Sequence, residues 1–278
     1  MNYFHIPQDF DLHEWNKKRY LKESQGQPKA IILAGAPGAG KGYVLSGLDI
    51  GDLKVLNVDN VYIDLLKKAN VSLDLKNATP EGRSKAAIAM AQANKEFKGK
   101  VAATIEGKES FILDGTAASV KQTANLKNEL EEAGYDVFML YVYTDLERSL
   151  KQNQDRFDKS DGKDRSLAPA IVLRTWSQVT DNFKAYESMF KDNFVSVANT
   201  LEDEKLDNVE DIIKKYLDPF KPTGTKPKSD SQKARSEKSK AELNAKVKEL
   251  LADDHVSMII NNSVSKEEAQ EKIKQFLS

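Results

Sequence analysis

An α/β fold built on a parallel sheet is predicted by three observations. Short apolar runs alternate with helical patterns along most of the chain. One run, 137–143 (VFMLYVY), is apolar almost without interruption, as expected of a central parallel strand covered on both faces. The first run leads directly into a glycine-rich turn and then a helical stretch, AIILAGAPGAGKGYVLSG over 30–47.

In order, residues 1–10 read as irregular and 11–23 as a short helix. Asp11 and Glu14 stand in capping-box positions, and Leu12, Trp15 and Tyr20 fall on one broad side that docks on the body of the protein. Gly26-Gln27-Pro28 breaks into the first strand, 29–34. A second strand over 54–58 ends at Asp59, with a helix over 61–68. A loop over 70–80 precedes a long alanine-rich helix, 81–106, whose small residues suit close packing on a sheet. The strand at 110–114 ends in Asp114-Gly115-Thr116, and a helix over 119–133 is stopped by Gly134. After 137–143 come a helix over 146–157, a polar loop over 158–166, one long amphipathic helix over 169–190, a last strand over 193–198 and a closing helix over 209–217. Five strands with helices on both faces place ligands beyond the carboxyl ends of the strands. The glycine-rich turn, Asp59 and Asp114-Gly115-Thr116 therefore share one edge.

Composition changes after residue 217. Residues 221–240 hold seven Lys/Arg against two Asp/Glu and no large apolar side chain. They read as a basic flexible tether, with single-stranded nucleic acid or an anionic surface as the alternative use. Beyond it, Leu243, Val247 and Leu250 or Leu251 recur at helical spacing, and Ser265 with Glu268 forms a capping box for a helix reaching Phe276. The expected organisation is an N-terminal helical extension (1–27), a main domain (28–219), a basic linker (220–240) and a small helical module (241–278). So small a module buries little core alone. It is expected to dock on the main domain, self-associate or bind a protein partner.

Charge is nearly balanced, −1 over 278 residues, so the whole chain does not imply a polyanionic partner. There is no cysteine, and the three histidines (His5, His13, His255) are scattered, which argues against thiolate chemistry, a histidine metal site and a Ser-His-Asp triad. No signal peptide or membrane-length apolar run is visible, so a cytoplasmic protein is expected.

Gly35-Ala36-Pro37-Gly38-Ala39-Gly40-Lys41 has the Gly-x4-Gly-Lys spacing of a phosphate-binding P-loop. Small residues let backbone N–H groups converge on an anion, and Lys41 adds a point charge for the β- and γ-phosphates. The fold class is thus a P-loop NTPase-type sheet with a C-terminal helical appendage. Gly42 and Tyr43 occupy positions that complete the nucleotide-binding loop. Gly42 stands where a Ser or Thr hydroxyl usually binds Mg²⁺, which shifts the metal to Asp114 at the end of its strand. The GAPGAGKG segment is similar to the loop of adenylate kinases, which place Thr where this chain has Tyr43. Asp59 has the position of a general base for an attacking hydroxyl, and equally of a helix N-cap. Thr116 is placed to touch acceptor or phosphate, or to cap the following helix. Arg156, Arg165 and Arg174 follow the central strand as lid arginines do, or as a solvated loop does. Arg83 and Lys85 open the alanine-rich helix, where a substrate phosphate or sugar would sit.

The ordered set GAPGAGK, NVDN, FILDGT, AGYDVFMLYVYTDLERSLKQNQDR and GKDRSLAPAIVLRTW resembles the zeta-toxin-like branch of P-loop kinases, beside chloramphenicol phosphotransferase, over about residues 28–217. The resemblance implies Mg²⁺-dependent transfer of the ATP γ-phosphate to a hydroxyl of a small molecule, nucleotide or nucleotide-sugar. In that scheme Lys41 and the loop bind the triphosphate, with Arg174 beside them. Asp59 is the base, Asp114 holds the metal, and Thr116 and Arg83 meet the acceptor. Arg156 and Arg165 stabilise the transferred group. A polynucleotide 5′-hydroxyl kinase, a nucleoside monophosphate kinase and a nucleotide-binding assembly module without turnover are the alternatives.

Overall fold

The computed structural model describes residues 26–48, 50, 53–161, 164–200, 209–217, 229–252 and 254–278. The helix expected over 11–23 and the first part of the basic linker lie outside these residues.

Five strands, β1 (Lys29–Ala34), β2 (Lys54–Asn57), β3 (Phe111–Asp114), β4 (Asp136–Tyr143) and β5 (Phe194–Ala198), form one sheet in the order β2-β3-β1-β4-β5. Every pairing is parallel. β4 is buried on both faces, as its continuous apolar run requires. Alternation along the strands separates two layers. Ala30, Ile32, Met139 and Tyr141 face one cluster with Trp176, Phe183 and Tyr186. Ile31, Leu33, Phe138, Leu140 and Val142 face the other.

The helices are α1 (Lys41–Leu45), α2 (Val58–Lys68), α3 (Pro80–Glu106), α4 (Val120–Glu132), α5 (Leu146–Lys159), α6 (Pro169–Asp181), α7 (Phe183–Phe190), α8 (Val209–Ile212, running on into a π-helical turn Ile213–Leu217), α9 (Asp230–Ala252), α10 (Asp254–Asn262) and α11 (Lys266–Leu277). Three expectations change. The alanines Ala86, Ala89 and Ala93 of α3 pack with Tyr62, Leu65 and Leu66 of α2 in a separate cluster, not on the sheet. The helix expected over 169–190 is interrupted at Asn182, whose side-chain amide donates to the carbonyls of Ala117 and Ala118 (3.4 and 3.1 Å). And α9 begins at Asp230, inside the segment read as flexible. A capping box starts it: Ser229 Oγ accepts from Gln232 N, and Gln232 Oε1 accepts from Ser229 N.

The C-terminal helices pack on both faces of the main body. Val247, Leu250 and Ile259 of α9 and α10 join the first cluster. Ala269 and Ile273 of α11 join the second, with Val44 of α1. Between α10 and α11, Val264 makes a parallel bridge with Val197 of β5, its N–H donating to Ser196 O (2.8 Å). The expected capping box of α11 is present, with Ser265 Oγ accepting from Glu268 N.

Candidate active site

The chain leaves β1 at Ala34 and turns through Gly38 (φ +77°) and Gly40 (φ +84°), both in the left-handed region that favours glycine. Space forbids larger residues as well. A Cβ on Gly40 would lie 2.3 Å from Asn199 Nδ2, and one on Gly38 would lie 3.0 Å from Ser149 O. The loop is fixed from behind. Ser149 Oγ donates to Pro37 O (2.6 Å), Asn199 Nδ2 to Ala39 O (2.9 Å) and Gly35 N to Thr116 O (3.2 Å). Lys41 folds back under the loop, donating to Gly35 O (3.2 Å) and standing 4.0 Å from Asp114 Oδ1. Burial pushes its ammonium pKa down, Asp114 pulls it back up, and Arg156 adds to the lowering.

Sheet register brings the carboxylates to the same edge. Leu33 pairs with Asp114 across β1 and β3, and Asn57 pairs with Asp114 across β2 and β3. Asn57 Nδ2 donates to Asp114 Oδ2 (2.7 Å), while Asn57 Oδ1 accepts from Asp59 N (2.7 Å) and caps α2. The capping role considered for Asp59 thus belongs to Asn57, since β2 ends one residue earlier than expected. The Asp59 carboxylate is left to face the cleft, where Oδ1 accepts from Arg165 Nη2 at 2.6 Å. Arg165 lies over the Tyr62 ring (5.7 Å to the centroid), and its Nε is buried with no partner. Asp164 bonds both arginines: Oδ2 accepts from Arg156 Nε (2.5 Å), and Oδ1 from the Arg165 main chain (2.7 Å).

These groups line one cleft of about 1020 Å³ running from the loop to the inner ends of α3 and α6. Pro37 to Gly42, Lys41 among them, form one wall with Asp114 and Thr116. Asp59, Arg156 and Arg165 stand across it, with Arg83 at the far end, where its Nη1 donates to Ala78 O (2.6 Å). Four of the expected residues do not line it. Gly35 and Ala36 sit behind the loop, Ala36 being 3% exposed. Tyr43 is 62% exposed and stacks under Lys266 Nζ (4.0 Å to the centroid). Arg174 is the clearest departure. It lies on the exposed side of α6, while Thr175 beside it lines the cleft, because the helix turns its inner side by one position. Asn57, Tyr62, Gln152 and Asn199 were not singled out from sequence. Only Asn57 carried a usable signal, as an N-capping residue type at a strand end.

One carboxylate, Asp114, stands beside the Lys41 ammonium, and Gly42 supplies no hydroxyl. Among the described residues no group of three or more His, Cys, Asp or Glu is close enough to hold a metal by itself. That donor set fits Mg²⁺, which keeps several waters and takes one or two carboxylates plus substrate phosphates. No helix among the described residues is long and apolar enough to cross a membrane.

The zeta toxin family model matches residues 13–215. The chain belongs to the zeta toxin family. The zeta toxin match spans all five strands and ends before α9, so the three C-terminal helices lie beyond it. Family membership supports a P-loop phosphotransferase in general terms. No curated relative matches the chain. Among solved structures, it is similar to one from the PezAT chromosomal toxin-antitoxin system of Streptococcus pneumoniae (16% identity, TM-score 0.45, covering 86% of this chain and 98% of that one). It is also similar to an AvrRxo1-ORF1:AvrRxo1-ORF2 complex with sulphate ions (15% identity, TM-score 0.49, covering 91% and 82%). The same complex with ATP matches at 15% identity and a TM-score of 0.47, covering 90% of this chain and 80% of that one. Likeness at this level carries no argument about the site.

Proposed function

We propose that this zeta toxin family member is an ATP-dependent kinase that moves the γ-phosphoryl group to a hydroxyl of a small molecule, nucleotide or nucleotide-sugar. One observation carries the reading: the Asp59 carboxylate lines the same cleft as the phosphate loop, its Oδ1 accepting from Arg165 Nη2. In this reading the loop N–H groups and Lys41 hold the β- and γ-phosphates. Asp114 is the residue that would hold Mg²⁺, which neutralises charge on the phosphates when bound. The acceptor O–H gives its proton to Asp59 as the oxygen bonds to the γ-phosphorus and the bond to the β-phosphate oxygen breaks, releasing ADP. Arg165 pairs with Asp59 and would turn its buried, unpartnered Nε side to the transferring phosphate when nucleotide binds. Arg156 supports it through Asp164, and Arg83 with Thr116 meets the acceptor.

The test is incubation with γ-labelled ATP, Mg²⁺ and a panel of cell metabolites, followed by identification of the labelled product. Asp59→Asn is expected to lower kcat by about 10²–10⁴-fold while leaving the ATP Kd within about threefold. Equal turnover in that variant removes Asp59 as base. Tight ATP binding with no transfer to any acceptor supports instead a nucleotide-binding module, the reading that Gly42 favours.

A second reading is a polynucleotide 5′-hydroxyl kinase. The exposed start of α9 carries Lys233, Arg235, Lys238 and Lys240 in a row of solvated positions. Lys233 and Lys238 are partly neutralised by Asp230 and Glu242, which weakens it. Salt-dependent binding of single-stranded oligonucleotides separates the two.

A further inference from the structure

We infer that Gln270, on the C-terminal helix α11, is a positioning residue for the phosphate loop, so that nucleotide affinity is set partly by a segment beyond the zeta toxin match. The inference rests on the nucleotide-binding part of the proposed function.

α1, which fixes the C-terminal end of the loop, spans only Lys41–Leu45. A helix so short does not hold itself, because nucleation costs more than so few bonds return. Its exposed carbonyls need partners. Gly42 O and Tyr43 O accept from Ser46 N (2.9 and 3.2 Å), and Leu45 O accepts from Leu48 N (3.1 Å). Among the described residues, Val44 O and Ser46 O have no main-chain donor, and Gln270 Nε2 donates to both, at 2.8 and 3.0 Å. One side-chain amide thus closes the helix end that the loop itself leaves open.

The surrounding contacts point the same way. Lys266, one turn earlier on α11, donates to Ser46 Oγ (3.2 Å) and covers the Tyr43 ring. Its positive charge lies at the C-terminal end of α1, where a cation is favoured. Beneath them Val44, Ala269 and Ile273 are each fully buried in one cluster. The loop is therefore gripped at two points that meet through β5. Asn199, just past β5, holds Ala39 O, and Val264, bridged to β5, delivers α11 onto α1. This also gives Tyr43 a place outside the cleft: its ring serves the C-terminal contact.

Coupling of this kind is reciprocal. The experiment measures ATP Kd by calorimetry on the full chain, well below the melting temperature, with circular dichroism establishing that each variant is folded. Gln270→Glu keeps the shape and removes the donor, and its ATP Kd is expected to rise about tenfold, the effect of losing about two neutral hydrogen bonds. Gln270→Lys keeps a donor of similar reach and should stay within about threefold of wild type. Amide exchange over residues 42–48 should quicken in ligand-free Gln270→Glu. In the wild type, ATP should slow exchange over residues 264–278, an arm that needs no variant. Unchanged affinity in Gln270→Glu, equal weakening in Gln270→Lys, or no ATP effect on exchange over 264–278 overturns the inference alone. A wild-type chain that binds no ATP overturns the kinase reading, and this inference with it.

Discussion

The two walls of the cleft are built by different means. The phosphate-loop wall is held by main-chain geometry, by bonds from Ser149 and Asn199, which do not line the cleft, and by the Gly35 N–H donating to the Thr116 carbonyl. The opposite wall is held by charged side chains pairing with one another, Asp59 with Arg165 and Asp164 with Arg156. The contacts that order the first wall are all within the protein, so in the proposed reading its backbone ordering would precede binding. The second must exchange partners, because the carboxylate that would accept a proton is occupied by the cation that would meet a phosphate. In the proposed reaction, preorganisation would serve binding and exchangeable pairing would serve turnover.

Variants on each side sharpen that difference. Arg165→Ala should lower kcat by about 10²–10³-fold with ATP affinity within about threefold, the size expected for one lost charge stabiliser at a transition state. A matching loss of affinity would mean the second wall also binds the ground state, and single-turnover kinetics separate the two. Gly40→Ala should act in the opposite sense. A methyl in the left-handed conformation against Asn199 displaces the loop, raising ATP Kd about tenfold, while kcat at saturating ATP falls less than threefold.

A smaller effect is expected on stability. Lys41 is buried and its pKa is lowered by that burial, so the folded chain carries a cost for its charge that the unfolded chain does not. The folded state binds fewer protons than the unfolded one between the lowered pKa and 10.5. The cost is therefore full below the lowered value and is relieved as pH rises through it toward 10.5. Lys41→Met should raise the Tm of the ligand-free protein by about 2–4 °C at pH 7, a gain of about 1 kcal/mol, and lose ATP binding. Scanning calorimetry should find the advantage shrinking toward pH 10. Smallest is Tyr186→Phe. Its hydroxyl donates to Ala117 O (2.5 Å), behind the Asp114-Gly115-Thr116 turn, where Ala117 holds a φ of +51°. A loss of about 1 kcal/mol in stability, with ATP Kd unchanged, is expected from chemical denaturation.

Much of the first wall was legible because its determinants are local. Glycine at fixed spacing after an apolar run announces both the backbone conformation and the anion it suits, and all five strands were readable from apolar runs ending in turn residues. The second wall is less legible because it depends on which side of a helix faces inward. Arg165 and Arg174 look alike in sequence, yet one meets Asp59 and the other solvent. The interruption at Asn182 has no Pro or Gly to mark it, and the bond its amide makes to a residue 64 positions away leaves no local signal. The start of α9 had a signal, the Ser229/Gln232 capping box, masked by basic, apolar-poor composition. Gln270 had none, because a single amide at the end of another helix leaves no periodic trace.

The bridge from Val264 to Val197 has one more consequence. β5 is the last strand on its side of the sheet, and a bare outermost strand offers a row of unpaired N–H and C=O groups to any extended chain that meets it. Val264 occupies part of that row, with Ser263 Oγ and Asn262 O engaging Ser196 beside it. The same few residues that carry α11 toward α1 therefore also keep this side of the sheet from recruiting a neighbour. Cleavage ahead of Val264 would expose a sticky margin, with self-association as the price.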